Sequence, residues 1–242
     1  KAGLGILKSE FVGLFYFKQF LNDSDLLLVI RNTIAISTMN IITGIIFPVT
    51  FAILLNEIYN NSFKKIIQTI SYLPHFISYV VVANIAITLL SPDGGIVNRV
   101  LMSLGILDKP FFFFAKPKLF WFNIVAINTW KGMGWGAIIY FASISRIDQH
   151  LYEAATVDGA GRFRQILHIT LPNIVPTIVV LFILAVPGIL SAGFEPSYLL
   201  GNPLVSEYSR VLDTHIYTLG IQEARYSMAT AIGLLRSIIG LV

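Results

Sequence analysis

Four mostly apolar runs, at roughly 33–55, 66–90, 119–142 and 173–193, and a fifth that begins at 226–242, dominate this chain. A helix rises about 1.5 Å per residue, so about 20 such residues cross the ~30 Å hydrocarbon core of a bilayer. These runs are too long for barrel strands and lack strict alternation, and in lipid only helices or closed barrels satisfy every backbone N–H and C=O. The expected fold is all-α and integral to the membrane: a polytopic helical bundle forming a single domain over 1–242. Turn chemistry lies between the runs, as Asn60-Asn61-Ser62, Pro92-Asp93-Gly94-Gly95, Asp108-Lys109-Pro110 and Gly201-Asn202-Pro203. The aromatic run Phe111 to Phe114 is too short to span and is assigned to the interface or to loop packing.

Composition closes off other classes. With 55% hydrophobic and 12% charged residues and a mean hydropathy of +0.75, the chain is unlike a water-soluble domain. Its +4 net charge comes from 17 Lys and Arg against 13 Asp and Glu. Those basic residues sit singly or in pairs, without a basic stripe, which excludes nucleic acid as a partner. Zero Cys removes disulfides, thiolate nucleophiles and zinc-thiolate sites. HExxH, GxSxG and a carboxylate pair suited to glycoside hydrolysis are all missing, so the chain is not expected to be an enzyme. It also lacks GxxxxGK[ST], so any ATP and Mg must be bound by a partner, and the chain itself is expected to hold no cofactor or metal. The sequence begins at Lys1 without Met and ends at Leu241-Val242 within an apolar run. It reads as a piece of a longer protein, without its first helix and its C-terminal end.

Five helices put 56–65 and 143–172 on one side and 1–32, 91–118 and 194–225 on the other. Lys64, Lys65, Arg146, Arg162 and Arg164 on the first side are balanced by a similar density of basic residues on the second. Charge therefore does not set the orientation.

The polar stretch Glu153 to Pro172, EAATVDGAGRFRQILHITLP, interrupts two apolar runs. Asp148 can cap a helix starting near Gln149. Ala154, Ala155 and Ala160 favour helix, Gly159 and Gly161 weaken it, and Pro172 suits the start of the next helix with Leu171 pushed out of the α region. The spacing of Glu153-Ala154-Ala155, Gly159, Ile169, Leu171 and Pro172 resembles the EAA loop of permease subunits of binding-protein-dependent ABC importers. The segments SYLPHFISYVV (71–81), SPDGG (91–95), WKGMGWG (130–136), GFEPSYLLGNP (193–203) and DTHIYTLG (213–220) look like the carbohydrate-uptake branch, the maltose-type and complex-polysaccharide permeases.

That resemblance implies a type I permease fold, multi-pass in a bacterial cytoplasmic membrane, with 143–172 as a cytoplasmic coupling loop. It also implies a second permease subunit, two copies of a nucleotide-binding ATPase, an extracytoplasmic solute-binding protein, surrounding lipid and an oligosaccharide cargo. Glu153, Ala154, Ala155, Asp158, Gly159 and Arg162 would form the ATPase-coupling surface, with Glu153 bonding a basic residue and Gly159 permitting a bend. An ion-coupled secondary transporter or channel subunit is the alternative. It would be expected to carry mid-membrane carboxylates, and the runs hold almost none.

Several polar and aromatic groups fall within or beside the runs and are candidates for the substrate path. Lys131 lies mid-span, where an ammonium must be paired or face water; it either meets an acidic sugar or pairs with a carbonyl or carboxylate of a neighbouring helix. Arg236, in the last run, is expected to snorkel or bond another helix. Trp130 and Trp135 flank glycines that suit close helix packing, and either ring could also stack on a sugar. His75 shares a helical face with Tyr72 and Tyr79. Glu195, Tyr198 and Asn202 fall in the long outer segment, as contacts for sugar or binding protein or as plain loop. Neutral and uronic-acid-containing oligosaccharides are equally open as cargo.

Overall fold

A computed structural model describes residues 11–241; the opening ten residues of the 1–32 segment and Val242 of the final run lie outside the described residues. Among the described residues the secondary structure is helical throughout. The elements are α1 (Phe15–Leu21), α2 (Leu26–Asn56), α3 (Asn61–Phe76), α4 (Tyr79–Leu90), α5 (Ile96–Ser103), α6 (Phe120–Ile144) and α7 (Gln149–Val157). A helix α8 (Arg162–Leu190) follows, then α9 (Phe194–Leu200), α10 (Ser206–Ser209), α11 (Leu212–Tyr217) and α12 (Tyr226–Leu241).

Helices α2 and α6 form the central pair, with α3 and α8 packed beside them. Small residues make the close approach possible: a Cβ on Gly134 of α6 would stand 2.0 Å from the Ser71 carbonyl oxygen of α3, and one on Gly136 would stand 3.1 Å from Pro48 of α2. In lipid, where burial of apolar surface between helices gains little, such van der Waals fit is the main adhesive. Around this seam Ala52, Ala137, Tyr140, Ile144 and Ile174 are buried.

The structure departs from the sequence reading in four places. The 66–90 run is not one straight helix: α3 and α4 meet at 104°, with Ile77 extended and Ser78 capping α4. Pro74 removes one ladder bond from the last turn of α3, and the Ser78 hydroxyl accepts from Val81 N–H, so the chain restarts as a new helix. The 33–55 run begins earlier, at Leu26, and passes through Pro48 without a break. Pro172 does not mark a boundary either. Leu171 is helical, and a wide π turn over Ile166–Thr170 leads into Pro172, so α8 runs on through the proline.

The fourth departure is the outer end, where 194–225 is a packed helical layer and not a loose loop. Asn32 is fully buried and its amide donates to the carbonyls of Glu207 (2.9 Å) and Arg210 (2.8 Å). Next to it, Thr33 Oγ1 accepts from Leu212 N–H at 2.8 Å. Asn98, also buried, donates to Ser91 and Phe111 carbonyls and accepts from Phe111 N–H at 2.7 Å, which closes the 91–118 segment on itself. Phe114 is buried there, and Phe111 meets Phe113 edge-on at 5.0 Å, so the aromatic run packs a loop. Arg236 is held by Asp213 and the Ser191 hydroxyl, the interhelical alternative to snorkelling.

Candidate coupling loop and translocation path

The loop between α6 and α8 is built by local rules. Asp148 is extended, and its carboxylate accepts from His150 N–H at 3.0 Å, filling one of the free donors of the first turn of α7. At the other end Gly159 is left-handed, with φ +77. Ala160 N–H reaches back to Ala155 O at 2.8 Å and Gly159 N–H to Thr156 O at 3.1 Å. These two bonds are the Schellman closure that glycine favours, because a Cβ resists positive φ. Gly161 is extended and leads into α8 at Arg162.

Side chains then fix the two arms of this turn. Gln165 donates to Thr156 Oγ1 (3.0 Å) and Ala160 O (3.1 Å), and the Tyr152 and buried Thr170 hydroxyls lie 2.9 Å apart. Glu153 pairs with His150 at 3.2 Å on an exposed face. The Arg162 guanidinium bonds the Tyr59 hydroxyl and lies 4.7 Å from that ring's centre, joining the loop to the α2–α3 connection. Glu153 and Arg162 thus line one cleft of about 250 Å3, together with Glu57, Tyr59, Tyr152 and Gln165. Ala154, Asp158 and Gly159 are exposed beside it and Ala155 is half-buried. Sequence reasoning missed Tyr59, Tyr152 and Gln165: Tyr59 meets a partner 103 positions away, while Tyr152 and Gln165 act across the turn, which only the folded loop closes. It also passed over Leu151, Val157 and Phe163, which leave apolar surface open on this polar segment; Val157 is 88% exposed.

A second group gathers where α3 breaks from α4. His75 stacks flat on Trp135 with centroids 4.6 Å apart, and Phe76 meets the same indole edge-on. Lys131 Nζ donates to the carbonyls of His75 (2.6 Å) and Pro74 (3.3 Å) and lies 5.6 Å from the Tyr79 ring centre. Of the two sequence readings of Lys131, the carbonyl pairing is the one observed. The Tyr79 hydroxyl bonds Asn128, whose amide donates to Asn40 of α2 at 3.1 Å. Trp130 is one position off that α6 face and is half exposed. Glu195 and Tyr198 lie on α9, which packs against α4. Tyr198 stacks on Phe194 at 5.0 Å and meets Tyr217 at 5.3 Å, while Asn202 donates to Phe114 O and so serves the outer layer.

Between α2, α6 and α8 lies a cavity of about 340 Å3 lined by Ser37, Asn40, Gly44, Gly136, Tyr140 and Ser191 among others. A smaller one of about 160 Å3 shares Asn40, Gly44 and Gly136 and adds Asn128 and Thr129. Among the described residues the buried hydroxyls of Ser37 and Thr129 have no hydrogen-bond partner. No sequence signal short of the helix register marked Ser37, Asn40 or Thr129 as neighbours.

The sequence profile of the family described as "Binding-protein-dependent transport system inner membrane component" matches residues 27–242. Protein LplB of Bacillus subtilis (strain 168) is 40% identical over 239 residues, 99% of this chain and 74% of that protein. The polygalacturonan/rhamnogalacturonan transport system permease protein YteP of the same organism is 40% identical over 241 residues, with the same two coverages. Among solved structures, a bacterial ABC transporter involved in the import of the acidic polysaccharide alginate superimposes with a TM-score of 0.90 at 40% identity, over 97% of this chain and 82% of that one. A bacterial alginate ABC transporter in complex with alginate pentasaccharide-bound periplasmic protein matches with a TM-score of 0.90 at 40% identity, over 99% of this chain and 82% of that one. The fold is thus that of an ABC importer permease, a membrane component and not the catalytic one. The chain belongs to the family of binding-protein-dependent transport system inner membrane components.

Proposed function

We propose that this chain is one permease subunit of an ATP-driven importer that moves a uronic-acid-containing oligosaccharide from an extracytoplasmic binding protein into the cytoplasm by alternating access. The observation that carries this reading is that two relatives 40% identical over almost the whole chain handle acidic polysaccharides, one polygalacturonan/rhamnogalacturonan and the other alginate. A cargo of the same chemical class follows. Ion coupling gains no support, because none of α2, α3, α4, α6, α8 and α12 holds an Asp or Glu.

In this reading the protein is multi-pass in a bacterial cytoplasmic membrane and pairs with a second permease so that the path runs along their interface. Two ATPase copies bind ATP and Mg, and one of them receives the loop at Glu153, Ala154, Ala155, Asp158, Gly159 and Arg162. The apolar surface of Leu151, Val157 and Phe163 supports such docking, since exposed apolar groups on an otherwise polar segment mark contact surfaces. The path draws on His75, Tyr79, Trp130, Trp135, Glu195 and Tyr198, with the unpartnered hydroxyls of Ser37 and Thr129 available to sugar hydroxyls or water. Closure of the ATPase pair then shifts the membrane helices between inward-open and outward-open states.

The test is reconstitution of the complete complex in proteoliposomes with its binding protein. ATP-dependent uptake of oligogalacturonides in clear preference to neutral maltooligosaccharides is expected. Preferred uptake of the neutral oligomers, or uptake driven by an ion gradient without ATP, would overturn the reading.

A further inference from the structure

The α3–α4 break creates a chemical need that one side chain meets. The chain turns away at Ile77, whose N–H reaches back only to Pro74 O at 3.3 Å, so among the described residues the His75 carbonyl is left without a backbone donor. Such carbonyls carry the negative end of the helix dipole, which a cation near the helix C-terminus complements. Lys131 Nζ reaches two of them, His75 O at 2.6 Å and Pro74 O at 3.3 Å. Its neighbours on the same face of α6 hold the flanks: Asn128, one turn before, takes the Tyr79 hydroxyl from α4, and Trp135, one turn after, stacks on His75 from α3. Positions 128, 131 and 135 share one helical face.

We propose that Lys131 is a positioning residue for transport, an ammonium clamp that fixes the angle between α3 and α4, and not a ligand for the cargo. Its donors are aimed at backbone, and its charge is matched by carbonyl dipoles, so it confers no preference for acidic sugar. This role rests on the importer reading for its functional consequence but not for its geometry.

The experiment has two arms, both on the assembled complex. In the first, Ile66→Cys and Ile87→Cys place spin labels on either side of the break in a chain that contains no other Cys. A narrow distance distribution is expected with Lys131 present, and a broadened or second population in Lys131→Met, with Lys131→Arg restoring the narrow one. In the second arm, Lys131→Met raises ATP hydrolysis in the absence of binding protein by about tenfold, the factor that loss of one charged hydrogen bond allows. The concentration of cargo-loaded binding protein giving half-maximal stimulation stays unchanged. If Lys131→Met does not assemble, Lys131→Gln, which keeps one amide donor, is read in its place.

Unchanged distances in the first arm overturn the clamp. So does a selective loss of affinity for acidic oligomers with basal hydrolysis unaltered, which would make Lys131 a cargo ligand. A wild-type complex without binding-protein-stimulated hydrolysis would sink the importer reading alone, since the first arm still decides the clamp.

Discussion

The Tyr152 and Thr170 hydroxyls lie 2.9 Å apart, so the first helix of the coupling loop is bonded to the helix that enters the membrane. Because Thr170 is 2% exposed, this bond sits at the root of the loop, tying α7 to α8. Tyr152→Phe removes it while keeping the ring. The complex is expected to assemble, to lose about 1 kcal/mol of thermal stability and to transport a few-fold more slowly. Melting of the purified complex, with uptake in proteoliposomes, checks both.

Glu153 is exposed and, among the described residues, its carboxylate pairs only with His150, so its loss leaves the fold intact. Glu153→Gln is expected to lower sugar uptake about tenfold while ATP hydrolysis continues, the signature of a weakened coupling between sites. The ratio of sugar moved to ATP hydrolysed is the measurement; an unchanged ratio would remove Glu153 from the coupling surface.

Gly159 has open space where a Cβ would stand, so its requirement for glycine is conformational, set by φ +77. Gly159→Val is expected to cost about 2 kcal/mol locally, and Gly159→Asn much less, because Asn tolerates the left-handed region. Protease sensitivity of the loop, compared between the two variants, distinguishes this from a steric effect, which would rank them by size.

Gly134 and Gly132 stand two residues apart on α6 with opposite expectations. A Cβ at Gly134 would clash with the Ser71 backbone, whereas nothing lies within 4 Å of one at Gly132. Gly134→Ala is expected to destabilise by about 3 kcal/mol as α3 is forced away, and Gly132→Ala to stay within about 0.5 kcal/mol. Thermal unfolding of the two variants in the same detergent gives the comparison.

Features governed by neighbours in sequence were legible in advance. Asp148 read as a cap and Gly159 as a bend, and both follow from residue chemistry acting within a few positions. Features decided by distant partners were not. The run 66–90 is continuously apolar apart from scattered polar groups, and only Lys131, more than fifty positions away, shows why a break at Ile77 is tolerable. Leu171-Pro172 looked like a boundary because a proline two residues into a new helix and one following a π turn are alike in sequence. The outer layer was hidden for the same reason: Asn32 and Thr33 sit in an apolar run, and the Asn32 amide donors and the bond that Thr33 accepts are accounted for by residues 207 to 212. In the candidate site, the loop residues were found, but Tyr59, Asn40 and Asn128 were not, since each acts through a partner on another helix.

Helix α2 contains 31 residues, a length of about 46 Å at 1.5 Å per residue, against a hydrocarbon core of about 30 Å. The excess must tilt or stand above the lipid. Its outer turns are those bolted by Asn32, Thr33 and the Asp25–Arg210 pair to the 206–212 layer. The 206–212 layer is therefore mounted on a pillar whose other end reaches the connection carrying Tyr59. A load placed on that layer would lean on the same beam whose far end Arg162 meets through Tyr59.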